Sequence, residues 1–216
     1  MESTEFTYGY DYIPYCGIVG GVRRVMVKAM PKCGELTLGL TPPHDPTFHI
    51  REAVEVAGAK RIGHEVDIAY EDGVQALLTR MARDHLAVEI NLTSNDVILG
   101  VKGADHPLAL YRRGGVPVVL STDDEGVSRI DMTNEYLRAG DRAPLALRRS
   151  EAVARDSLKY VFLPGASLWV SKGVQVRACA LAGAACDAFL AKSAKATAQW
   201  KLEQDFEAFE RSAFEP

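Results

Sequence analysis

Short apolar runs alternate with helical stripes along the middle of the chain. Val25-Met26-Val27-Lys28-Ala29-Met30 predicts a short strand, stopped by Pro31 and Gly34. A loop carrying Pro42, Pro43 and Pro46 follows. Residues 49–57 then place Ile50, Ala53, Val54 and Ala57 on one helical face, with Gly58 suited to the C-terminal cap. Arg61-Ile62-Gly63-His64 predicts a strand that ends on a histidine. Residues 73–85 predict a second amphipathic helix that gathers Val74, Leu77, Leu78 and Met81. Next come a strand at Ala87-Val88-Glu89-Ile90, a turn at 91–95, a helical piece near 107–113 and an apolar strand over 116–122. Strand and helix in this alternation predict parallel β/α architecture.

The two ends read differently. Residues 1–23 are rich in Tyr and Gly and show no periodicity, so they are expected to be irregular, appended chain. Residues 176–214 predict helices. Their apolar stripe runs through Cys179, Leu181, Ala182, Cys186, Phe189, Leu190, Trp200, Phe206 and Phe209, with Lys192, Lys195, Lys201, Glu203 and Asp205 on the wet side.

In parallel β/α folds, functional groups collect at the C-terminal ends of strands. His64, Asn95, Asp123 and Asp124 all fall there, and so does the segment Lys32-Cys33-Gly34-Glu35 after the first strand. The adjacent pair Asp123-Asp124, closing a buried strand, needs a metal, a cation or several donors to offset its charge. Each residue also has a plainer role open to it. His64 suits a hydrogen-bonded core position, Glu35 a loop cap, and Asn95 a turn. His44 and His49 read as surface residues beside the Pro-rich loop.

Composition narrows the class. At 216 residues, with 47% hydrophobic and 25% charged positions, the chain holds one large domain or two small ones. A net charge of −4 with no basic run argues against nucleic acid as the main partner. No stretch approaches the ~18 apolar residues of a membrane span. The acidic opening Met-Glu-Ser-Thr-Glu-Phe is not a secretory signal, so a cytoplasmic protein is expected. Cys16, Cys33, Cys179 and Cys186 lack metal-site spacing and are expected to be reduced thiols.

Four segments carry a resemblance. Arg61-Ile62-Gly63-His64, Leu92-Thr93-Ser94-Asn95, Ser121-Thr122-Asp123-Asp124 and Ser157-Leu158-Lys159-Tyr160-Val161-Phe162-Leu163-Pro164-Gly165 resemble the metal-dependent adenosine deaminases of the amidohydrolase superfamily, in that family's order and spacing. Asp123-Asp124-Glu125-Gly126-Val127-Ser128-Arg129 and Ala198-Gln199-Trp200-Lys201-Leu202-Glu203 resemble a bacterial branch of it. The resemblance runs from about Lys32 to the C-terminus. It implies an α/β fold, a partial TIM-type (β/α) barrel corresponding to the last four strands. Residues 24–216 would form this half-barrel, with its helical tail on the outside.

The implied reaction is hydrolytic deamination of adenosine or a related aminopurine by zinc-activated water. Zn²⁺ lowers the pKa of its water to about 7, which supplies hydroxide to displace a poor leaving group. By the resemblance, Lys32-Cys33-Gly34-Glu35 stand where the family has His-Ala-Gly-Glu. Glu35 would pass a proton to the purine ring, and the Gly34 amide would contact the base. His64 would orient and deprotonate the water, Asp123 would ligate zinc, and Asp124 would hold the imidazole-ring nitrogen of the purine.

Three departures bear on activity. No two of the five histidines are two residues apart, so the family's His-x-His pair is absent from this sequence. Lys32 replaces a third histidine ligand, and a protonated ammonium cannot ligate zinc. Glu65 stands where the family has a glycine. Asp123 alone remains of the family's ligand set, whereas catalytic zinc takes about three protein ligands. The expectation is a deaminase-like hydrolase impaired by loss of zinc ligands. The alternatives are a metal-free purine-binding or regulatory protein, with Lys32 paired to Asp123 or Asp124, and a truncated product without function. The expected partners are a small purine nucleoside and either a second copy or an N-terminal half-barrel, because half a barrel exposes strand edges.

Overall fold

A computed structural model describes residues 15–17, 35–38, 47–140, 147–171 and 173–214, with backbone alone for 15–17, 35–38, 147–149 and 214. The chain divides into two compact units, residues 1–145 and 146–216.

In the first unit, five strands form one parallel sheet in chain order: β1 (Tyr15–Gly17), β2 (Glu35–Leu38), β3 (Arg61–His64), β4 (Ala87–Ile90) and β5 (Val118–Leu120). Parallel neighbours need long crossovers, and helices supply them. Before β3 lies α1 (His49–Glu52), continued by a π-type turn at Ala53–Ala57. Ile50, Ala53, Val54 and Ala57 are all buried, and Gly58 ends the turn at φ +68°, as the helical spacing predicts. Between β3 and β4, α2 (Val74–Arg83) buries Leu77, Leu78 and Met81. Between β4 and β5 come α3 (Leu92–Leu99) and α4 (Leu108–Arg113). Ile62, Val88, Ile90, Val119 and Leu120 are buried in the strands, as expected of a sheet covered on both faces. After β5 follow α5 (Glu125–Ser128) and α6 (Met132–Gly140). The α/β class is the one the sequence predicts.

Two local expectations change, and a third falls outside the described residues. β1 lies inside the stretch expected to be irregular, where pairing with β2 rather than any apolar period makes the strand. The strand expected at 25–30 lies outside the described residues, whereas Glu35-Leu36-Thr37-Leu38 forms β2 just after Gly34. The turn expected at 91–95 is instead the opening of α3.

The second unit contains α7 (Leu147–Lys159), an antiparallel hairpin of β6 (Trp169–Ser171) and β7 (Val174–Gln175), α8 (Ala184–Leu190) and α9 (Ala194–Phe214). Its core gathers Leu168, Trp169, Cys179, Cys186 and Ala196, with Leu158, Phe189, Leu190 and Trp200 packed against them. Leu181 is 84% exposed and leaves the predicted stripe. Cys179 and Cys186 form a disulfide, against the expectation of reduced thiols. Both are buried in one small cluster, which brings the two sulfurs together. At Gly165, φ is +104° and a Cβ would sit 2.3 Å from Ser193 Oγ, so only glycine fits the approach. Among the described residues no helix is long and apolar enough to cross a membrane.

Candidate functional site

β3, β4 and β5 are successive neighbours in the sheet, so their C-terminal ends lie side by side. β3 ends at His64, where the backbone turns into the left-handed region at His64 (φ +71°) and Glu65 (φ +46°). Asp123, three residues past the end of β5, adopts φ +56°. Left-handed backbone at non-glycine residues is uncommon and gathers at functional sites.

The three ends converge. His64 Nε2 lies 3.7 Å from Asp123 Oδ2, and the Ser94 hydroxyl donates to that same oxygen at 2.6 Å. Asn95 Nδ2 lies 3.0 Å from His64 Nδ1, and Asn95 Oδ1 lies 3.1 Å from His106 Nε2. The Leu108 amide donates to His106 Nδ1 at 3.2 Å. Burial, helped by the charge of Arg138, pushes the His106 imidazole down to about 4. Asn95 is therefore not the turn residue the sequence suggests. It is buried in α3 between two imidazoles.

The position of α3 depends on α6. Glu135 is fully buried and accepts the amides of Leu92 (2.8 Å) and Thr93 (3.2 Å), together with the Thr93 hydroxyl. A carboxylate at a helix N-terminus satisfies orphan donors and complements the helix dipole. Sequence reasoning missed Glu135 and His106. Glu135 sits more than forty residues from the helix it caps, out of reach of any local pattern. His106 precedes Pro107 at a helix start, the one local signal available.

Asp124 is exposed beside Asp123 and opens α5. Glu35 begins β2 in register with Arg61, whereas Leu38 is the residue in register with His64. Its backbone is thus three extended residues, about 10 Å, from the strand end that carries His64. Glu35 thus opens β2 rather than following a strand. Lys32, Cys33 and Gly34 lie outside the described residues.

A second acidic group lies just past His64. Glu65 and Asp67 are fully buried, and among the described residues no oxygen of either carboxylate has a hydrogen-bond partner. Glu71 Oε1 accepts the Ile50 amide at 2.6 Å. His49, expected at the surface, instead lies 3.6 Å from Asp67 and 3.4 Å from Glu71. Burial pushes Glu65 well above the usual carboxylate range, and the charges of Asp67 and Glu71 add to it. Burial also pushes Asp67 up to about 6. The Tyr111 hydroxyl donates to the Glu65 carbonyl at 2.9 Å and covers the turn.

The fit to a metal can be judged from these donors. His64 and Asp123 supply one imidazole and one carboxylate, and no group of three metal-ligating side chains occurs among the described residues. That falls short of a catalytic zinc's three protein ligands. The described residues do not fit the ion.

The adenosine deaminase family model matches residues 27–168, which takes in all four segments that carry the resemblance and stops just short of β6. The chain belongs to the adenosine deaminase family. Adenosine deaminase of Serratia proteamaculans is 38% identical over 115 residues, 53% of this chain and 34% of that one. The chain thus matches about a third of the length of this curated adenosine deaminase. Adenine deaminase from Arthrobacter aurescens aligns with a TM-score of 0.51 at 21% identity, covering 59% of this chain and 38% of that one. A zinc-bound amidohydrolase from Burkhoderia ambifaria aligns with a TM-score of 0.50 at 15% identity, covering 81% and 42%. At these identities the two structures speak for the α/β fold of the deaminase family alone.

Proposed function

We propose that residues 24–216 form the part of an adenosine deaminase-type hydrolase that corresponds to the last four strands of a TIM-type barrel, with residues 1–23 adding β1 at the edge of the sheet. The substrate in this reading is adenosine or a related aminopurine, deaminated hydrolytically to the inosine-type product. One observation carries it: His64 and Asp123 meet at 3.7 Å across neighbouring strand ends in a chain of this family. The His64 imidazole would orient the attacking water, and taking that water's proton would require a bare lone pair at Nε2. The exposed Asp124 would hold the imidazole-ring nitrogen of the purine. Gly34 and Glu35, as base contact and ring proton donor, and Asp123, as a metal ligand, enter through the resemblance. In the backbone register, Glu35 pairs with Arg61, three residues before the strand end that carries His64.

With too few donors for zinc among the described residues, turnover is impaired and purine binding is what remains. β1 and β5 lie at the two edges of the sheet, and an open strand edge recruits another strand. Self-association, or pairing with an N-terminal half-barrel, is therefore part of the proposal, as is a cytoplasmic setting. Calorimetry of the purified chain with adenosine and inosine, followed by an absorbance assay for deamination with added zinc, tests the reading. Binding heat without turnover is the expected result. No heat at millimolar nucleoside overturns the purine assignment, and turnover at ordinary enzyme rates overturns the impairment.

A further inference from the structure

We propose that His106, acting through Asn95, fixes the tautomer of His64, so that the resting site presents an N–H rather than a lone pair at His64 Nε2. This deepens the deaminase reading by naming positioning residues for its histidine. The Leu108 backbone amide can only donate, so His106 Nδ1, 3.2 Å away, must carry a bare lone pair. A neutral imidazole then holds its proton on Nε2, which donates to Asn95 Oδ1 at 3.1 Å. With its oxygen committed to His106, the Asn95 amide turns its Nδ2 hydrogens to His64 Nδ1 at 3.0 Å. His64 Nδ1 becomes the acceptor, and its proton goes to Nε2, the nitrogen that faces Asp123 Oδ2.

The polarity of the whole chain is set by one group that cannot rotate or flip. The orientation of an asparagine amide and the tautomer of a histidine are ordinarily ambiguous. Here a main-chain N–H settles both. Asn95 is 1% exposed and His106 4%, so water does not compete for these bonds. His106 also stays neutral over the ordinary pH range, because burial depresses its proton affinity. It follows that His64 begins as a donor toward Asp123 and whatever lies at the mouth of the site. It can accept a proton only at Nδ1, and only if Asn95 releases that nitrogen.

Nitrogen-15 histidine labelling and two-bond proton–nitrogen correlation spectra of the ligand-free chain, near pH 8, read the tautomer directly. The expected result is an Nε2–H pattern at both His64 and His106. His106→Phe frees the Asn95 amide to turn, and the Nδ1–H share of His64 should rise about fivefold, the net worth of one hydrogen bond. Asn95→Asp leaves only acceptors facing His64 Nδ1, so the Nδ1 proton should become dominant. An Nδ1–H form of His64 in the unmodified chain overturns the proposal, as does an unchanged His64 pattern in a folded variant. Should His106→Phe not fold, Asn95→Asp and the unmodified chain decide by the same spectra. The readout needs no purine and no turnover, so its failure is distinguishable from failure of the deaminase reading.

Discussion

Glu65 and Gln199 are both fully buried polar residues, one in each unit, and their surroundings differ completely. Gln199 Oε1 accepts the Leu168 amide (2.7 Å) and the Ser167 hydroxyl (3.2 Å), and its Nε2 donates to the Leu158 carbonyl (3.0 Å). One helical turn on, Glu203 accepts two bonds from the Arg155 guanidinium (2.9 and 2.8 Å) and one from the Trp169 indole (2.8 Å). Glu65 sits at φ +46° with no partner for either oxygen among the described residues and two more carboxylates nearby. The C-terminal unit uses its buried polar groups to hold itself together. The strand-end region keeps groups that destabilise it, and such concentrations of unfavourable terms mark functional places.

The contrast can be broken most forcefully at Glu65. Glu65→Gly removes a buried carboxyl that has no partner among the described residues and relieves a left-handed backbone, so urea unfolding at neutral pH should show a gain of about 3 kcal/mol. The pH dependence carries a definite sign. Because the folded value of Glu65 is raised, its favourable contribution is complete below the ordinary glutamate range and disappears as pH climbs through the folded value. The variant should flatten that decline. A loss of stability in Glu65→Gly would erase the distinction between the two units.

Gln199→Leu is the counterpart, with the opposite sign. It strands the Leu168 amide and the Leu158 carbonyl in the core and should cost about 2–4 kcal/mol by the same measurement. Asp67→Asn comes next, with a gain of about 2 kcal/mol at pH 7 and little effect near pH 4. The reason is that Asp67 rises from 3.8 to about 6, so stability is lost as pH climbs across that window. His106 works the other way, because its fall from 6.5 to about 4 removes stability as pH drops between those values. In Asp67→Asn that opposing slope should stand out. At the small end, Lys201→Ala breaks only the exposed pair with Asp205, and its unfolding midpoint should be indistinguishable from that of the unmodified chain.

What the sequence made legible was local. The faces of α1 and α2 follow from apolar spacing alone, down to Ile50, Ala53, Val54 and Ala57 in one and Leu77, Leu78 and Met81 in the other. The placing of His64 and Asp123 at strand ends follows from where the apolar runs stop. What it hid was made by distant partners. The opening of α3 looks like a turn because its cap, Glu135, arrives four elements later, on α6. His49 looks like a surface residue because the carboxylates beside it belong to the segment after β3. β1 exists through its pairing with β2, and the relay through Asn95 needs His106 from beyond the end of its own helix.

The Cys179–Cys186 bridge joins positions only seven apart, so it restricts the unfolded chain far less than a clasp spanning the whole unit would. Mild reductant should thus leave the C-terminal unit standing while creating two thiols shielded from reagents. An alkylating probe would then reach them only during transient openings, and its rate of uptake would serve as a clock for how often that unit breathes.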